Sequence, residues 1–204
     1  MSVLESASRK ALRRVAKARR AGNDVNSEWV TNQEFELIEN LVGAAFVVGQ
    51  AFTTRVAELA IRIEGALHRD DKPATGPSKA AGPKKNEIAA RCRQLRAEKI
   101  GSTGLTVPEA VHALANYFKH REQWPRDWSK AGSLESGTID VIQKLGANSA
   151  ASDNLAAGLE NMGYQNYDLS RLGEDLHLWA KGVRKHYADL ISVLIASRGT
   201  WSGP

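Results

Sequence analysis

A single cysteine, Cys92, leaves the chain no partner for an internal disulfide. That excludes a disulfide-framework fold and suits a reducing compartment, so a cytoplasmic location is expected. Arg91 and Arg93 flank Cys92 and would lower a thiol pKa, although a half-buried helix cysteine with no role is the plainer reading. No apolar run reaches the roughly 18–20 residues of a membrane span. The longest, from Leu41 to Phe52, is interrupted by Gln50, and no membrane span is expected. The N-terminus does not read as a secretory signal, because charges interrupt any apolar region there. It shares its basic, serine-bearing, amphipathic character with organelle transit peptides, but a plain first helix is preferred.

Strand signals are missing as well. No alternating apolar–polar run is bounded by hairpin turns, and no fixed-period repeat occurs. The chain has no H-E-x-x-H and no cysteine pair, and His112 and His120 lie two turns apart, too far to share one ion, so no metal is expected. It has no G-x-x-x-x-G-K, no G-x-G-x-x-G and no G-x-S-x-G, so no cofactor and no serine nucleophile are expected.

What the chain does have is length, helical periodicity and uneven charge. Its 204 residues, 42% hydrophobic and 25% charged, are enough to bury a core as one domain. The net charge of +5 is concentrated in residues 1–22, where seven cations face Glu5 alone. Arg13, Arg14 and Lys17 belong to this basic face, which is a candidate surface for nucleic acid or an anionic membrane; a merely solvated face is the commoner outcome.

Residues 3–20 read as a helix, ended by Ala21-Gly22-Asn23-Asp24. A central helix is expected from about 32 to 68, capped by Thr31 or Asn32. Phe35, Ile38, Val42, Ala45, Gly49, Phe52, Val56, Leu59, Ile63 and Ala66 advance by threes and fours, a seam that also fits a homodimer interface. Gly43, Ala44, Ala45 and Gly49 would admit another helix at close range. Residues 69–86, rich in proline and glycine, read as a linker loop. Helices are expected at about 86–100, at 107–123 behind the capping box Thr106-Val107-Pro108-Glu109, and at 168–197. Short helices are expected at 138–145 and 154–161, and residues 198–204 read as a frayed tail. The expected fold is all-α: a single-domain up-and-down bundle of four to five main helices with short extra ones.

Chemistry concentrates between Ala115 and Trp124. His112, Asn116 and His120 are spaced by four along one helical stripe, with Lys119 and Arg121 beside the last. An imidazole moves protons near neutrality, a carboxamide orients it, and cations stabilise a negatively charged transition state. Those are the parts needed for metal-independent RNA cleavage by the 2′-hydroxyl; surface or helix-end histidines are the bland alternative. Trp124 and Trp128, around Pro125, are suited to stacking on bases but more often plug a gap between helix ends.

The segment from Asn116 to His120 resembles the active-site helix of the HEPN superfamily, whose members are helical bundles of prokaryotic defence, toxin–antitoxin and RNA-processing systems. Nuclease members carry an arginine, four to six residues, then a histidine, often with asparagine after the arginine, and usually act as dimers around one shared cleft. Asn116 and His120 match the asparagine and histidine; Ala115 occupies the arginine position. The resemblance implies His120 as the proton-transfer residue, Asn116 as its orienting partner, and Lys119 and Arg121 as phosphate contacts; the stripe and the tryptophan turn add His112 and Trp124 as accessory candidates. RNA and a second copy of the chain would be the partners. Arg62 to His68 and Arg171 to His177 repeat the spacing, but about that many matches arise by chance. The alternative expectation is a noncatalytic helical adaptor that binds a protein partner through the seam or the basic first helix.

Overall fold

The computed structural model describes residues 2–21, 25–70 and 84–199. They form seven α-helices: α1 (Ser2–Ala21), α2 (Val25–Asp70), α3 (Lys85–Gln94), α4 (Val107–His120), α5 (Ser133–Lys144), α6 (Asn154–Asn161) and α7 (Leu169–Gly199). Single 3-10 turns follow α4 and precede α5 and α7. Among the described residues the only β pairing is an isolated bridge between Lys99 and Thr106. The fold is all-α, an up-and-down bundle built on α2.

Helix α2 begins seven residues before the expected start, because nothing from Val25 to Thr31 breaks a helix; Thr31 and Asn32 are interior positions. Its 46 residues span about 70 Å at 1.5 Å per residue. Helix α1 packs along it, burying Ser8, Ala11 and Val15. Helix α4 crosses it in the opposite sense: Gly43 faces Phe118, while Gln50 meets His112. Helix α7 runs in the same sense as α2, since Gly49 faces Leu176 and Glu64 faces Tyr187. The close approach expected at Gly43 and Gly49 is present. A Cβ on Gly43 would sit 2.3 Å from the Phe118 ring, and one on Gly49 2.9 Å from Val111.

Two apolar clusters result. The larger joins Ile38, Val42 and Phe46 to Val111, Leu114, Leu159 and Leu172. The smaller joins Ala57 and Ala60 to Ile88, Cys92, Trp179, Val183 and Tyr187. The indole Nε1 of Trp179 donates to the Cys92 carbonyl at 3.1 Å, tying α7 to α3. Helix α3 ends at Gln94, before the expected limit at 100. Arg96 turns into the left-handed region (φ 55°), which lets the loop fold Ile100 and Leu105 into the core. The capping box forms as expected: Thr106 N donates to Glu109 Oε2 at 2.8 Å, and Glu109 N to Thr106 Oγ1. Helix α5 starts at Ser133 instead of 138, with Glu135 in its first turn, where the helix dipole favours an acid. Residues 71–83 of the expected linker and 200–204 of the expected tail lie outside the described residues; α7 continues through Gly199.

The seam on α2 is buried for only half its length. Phe35, at the start of the pattern, is 36% exposed; Ile38, Val42, Ala45 and Gly49 face the core, but beyond them Phe52 is 39% exposed and Leu59 53%. Thr53, Ala57 and Ala60 are buried in their place. A straight helix drifts about 20° per heptad against a 3.5-residue repeat, so the seam rotates outward as α2 proceeds. The segment Glu28–Leu67 is long and apolar enough to cross a membrane, but 44% of its most apolar 18-residue stretch, of mean hydropathy 1.3, is buried inside the bundle. Glu39 and Gln50 lie on its buried side. A membrane span is therefore not clearly indicated.

Candidate functional site

The expected site residues separate into three groups around α4. The first surrounds Gln50, which the apolar middle of α2 carries against α4. Its Nε2 donates to Asn116 Oδ1 at 2.8 Å and to the His112 carbonyl at 3.2 Å, and lies 3.2 Å from His112 Nδ1. Its Oε1 accepts from Lys119 Nζ at 2.7 Å. One carboxamide thus gathers two members of the stripe and the neighbouring Lys119. The signal for it was present in the sequence: an isolated glutamine within an apolar helix needs partners for its polar atoms.

His112 and Asn116 also border a small cleft of about 290 Å³, together with Arg93, Glu109, Thr138 and Val141. Burial, then the nearby Arg93 and Lys119 charges, pushes the His112 pKa down to about 4, so its imidazole is neutral at pH 7. Burial likewise lowers the Arg93 pKa, though Glu109 opposes the shift. Burial also acts to raise the Glu109 pKa, but hydrogen bonds from Gln94 and Thr106 outweigh it and hold the carboxyl below its usual range. Sequence reasoning missed Arg93 because it belongs to a different helix.

His120 lies apart from this cleft. It is exposed, at φ −123° and ψ 0°, where α4 gives way to the 3-10 turn. The stripe that carries it is therefore interrupted at its last member. Arg121 turns to yet another side. Its Nη2 donates to Asn40 Oδ1 at 3.1 Å, its Nη1 is 4.0 Å from Glu39 Oε1, and its guanidinium covers the Phe118 ring. Arg121 and Glu39 line a separate polar cavity of about 900 Å³ with Arg19 and Tyr117. Glu39 is committed there. Its two oxygens accept from the backbone N–H groups of Leu155 and Ala156 at 2.8 and 2.9 Å, capping α6. Burial raises its pKa despite those bonds.

Ala115, at the resemblance's arginine position, is fully buried in the larger cluster. Trp124 and Trp128 pack on Tyr117 with ring centroids 5.4 and 5.9 Å away, and the Tyr117 hydroxyl accepts from Asn154 Nδ2. These rings fill the gap between α4 and its neighbours. On α1, Arg14 pairs with Glu34 at 3.0 Å, and Arg13 lines a small polar cavity with Asn166 and Asp168. Lys17 is exposed and forms no ion pair among the described residues. Burial raises the Cys92 thiol pKa to about 11, more than the Arg93 charge lowers it, so the thiol is inert at neutral pH.

One further feature is apolar. The second half of the α2 seam, with Phe52 and Leu59 exposed and Val56 and Ile63 half-buried, faces one stripe of α7 across a groove of about 490 Å³. Ala60, Val183 and Tyr187 lie between the two walls. Compared with known proteins, the chain matches no protein-family model, and no curated sequence or solved structure is significantly similar to it.

Proposed function

We propose that this chain is a noncatalytic helical interaction protein that engages a protein partner through the groove between α2 and α7. The observation that carries this reading is the uncovered half of the seam. Phe52 and Leu59 are exposed in line, where a soluble monomer rarely leaves contiguous large apolar side chains. The catalytic alternative loses support from the scatter of its parts: His120 alone at the surface, Arg121 turned to Asn40, and Ala115 in the core. A reducing, cytoplasmic setting agrees with one buried, unpaired cysteine.

The test is site-specific photo-crosslinking in the source cells, with the reactive residue at Leu59 or, as control, at exposed Ser136 on α5. The reading expects one adduct of defined mass from position 59, none from 136, and its loss when Phe52→Asp is added. Equal labelling from both positions would refute it.

A second reading keeps the HEPN-like resemblance, with RNA as substrate and a homodimer as the working form. Its support is that Arg93, His112 and Asn116 line one cleft, with Lys119 held beside it by Gln50. In this reading Arg93 supplies the guanidinium that position 115 does not. His112 would take the proton from the 2′-hydroxyl, in place of His120. Incubating purified protein with a labelled RNA decides it. Cleavage should be lost in Arg93→Ala, His112→Ala and Asn116→Ala and kept in His120→Ala; cleavage indifferent to the first three changes would end the assignment.

A further inference from the structure

We infer that the groove between α2 and α7 seats one amphipathic helix of a partner protein, with acidic residues along the edge that meets α7; this inference rests on the interaction reading above. The two walls differ in character. Phe52, Val56, Leu59 and Ile63 make the α2 wall entirely apolar. Along α7, His177, Lys181, Arg184, Ala188 and Ile191 advance by four, three, four and three, so they form one stripe. That stripe is basic over its first half and apolar over its second. Because α2 and α7 run in the same sense, the basic half lies opposite Phe52 to Leu59, and the apolar half lies nearer Ile63.

Neither Lys181 nor Arg184 forms an ion pair among the described residues, whereas the adjacent Lys185 is satisfied by Asp189 at 3.1 Å. The carboxylates of α2 near the groove are also engaged. Glu58 binds Arg55, and Glu64 binds Arg91 and the Tyr187 hydroxyl. Among the described residues no aspartate or glutamate lines the groove. A second copy laid face to face would therefore bring these cations nothing to pair with, and a basic partner would be repelled.

The dimensions suit a helix. From residue 52 to residue 63 the apolar wall extends about 16 Å at 1.5 Å per residue, room for about three helical turns. A partner helix would place apolar residues at i, i+3 or i+4, and i+7 between the walls. Its acidic residues, one turn apart on the α7 side, would reach Lys181 and Arg184. Apolar burial supplies the affinity, and the charges set orientation and exclude wrong partners.

The experiment uses the full chain and two synthetic, fluorophore-labelled helices about four turns long, in fluorescence anisotropy. Both carry the same leucine stripe; one is flanked by glutamate, the other by lysine. The glutamate helix should bind about tenfold more tightly than the lysine helix at low salt, with the difference shrinking as salt rises. The exposed double variant Lys181→Glu/Arg184→Glu should reverse that preference, and Leu59→Asp should remove binding of both helices. If the lysine helix binds as well as the glutamate helix and Leu59→Asp abolishes both, the acidic partner is overturned while the interaction reading stands. Binding that ignores Leu59→Asp overturns both. A dimer by sedimentation that Leu59→Asp returns to monomer makes a second copy the occupant and overturns the present inference.

Discussion

Gln50 and Asn116 are joined by a 2.8 Å hydrogen bond between the middle of α2 and the middle of α4. The same carboxamide accepts from Lys119 and is buried, so it fixes the register of the two helices with polar contacts on both of its atoms. Gln50→Leu keeps the volume but leaves Asn116 and Lys119 without this partner. A loss of about 1–3 kcal/mol is expected in urea unfolding, with no change in helical content by circular dichroism. A variant as stable as the parent would show that the network is not structural.

The seam offers a paired comparison on one helix. Ile38 is fully buried and Leu59 is 53% exposed, although both belong to the same heptad pattern. Ile38→Ala should cost about 2–5 kcal/mol, and Leu59→Ala less than about 1. Similar losses at both positions, measured by chemical unfolding, would mean that the outer half of the seam is covered.

Gly43 is a third test, of packing. Glycine to alanine inside a helix ordinarily gains up to about 1 kcal/mol. Here a Cβ would fall 2.3 Å from the Phe118 ring, so Gly43→Ala should instead destabilise by about 1–3 kcal/mol. Adding Phe118→Ala should make the cost of the alanine smaller than in the parent background. The readout is a double-mutant cycle of unfolding free energies.

His112 makes stability depend on pH. Its folded pKa of about 4 lies below the ordinary 6.5, with burial the main cause. The unfolded chain therefore takes up the proton first on acidification. The contribution is intact above about 6.5 and is lost progressively as the pH falls toward 4. His112→Gln should flatten the fall in thermal midpoint across that window. A parent protein with a level midpoint from pH 7 to 4.5 would contradict the buried, neutral imidazole.

Much of the architecture was legible in residue order because it rests on local chemistry. The capping box at Thr106 and Glu109 and the α6 boundaries follow from spacing and side-chain type. The small residues Gly43 and Gly49 likewise announced a close helix crossing. The seam was legible as a pattern, but its fate was not. Whether Leu59 is covered depends on which helices lie beside it, and the slow drift of a straight helix against a heptad turned it outward. The C-terminal end of α3 was hidden for a similar reason: Arg96 adopts a left-handed conformation so that Ile100 and Leu105, further along, can enter the core.

The candidate site was less legible. Spacing by four placed His112 and Asn116 together, and Gln50 and Arg93 join His112 from other helices across 62 and 19 positions of chain. No local pattern identifies such partners. Arg121 was misdirected in expectation because a single residue of advance, about 100° around the axis, points it at Asn40 and Glu39 instead.

The division of buried side chains between a large cluster and a small one makes the molecule unequal along its length. The end built on Ala57, Ala60 and Trp179 holds fewer interlocking groups, so its backbone amides should open to deuterium sooner than those around Ile38 and Val42. Any molecule lodged there would slow that exchange, working as a splint on the looser end of the rod.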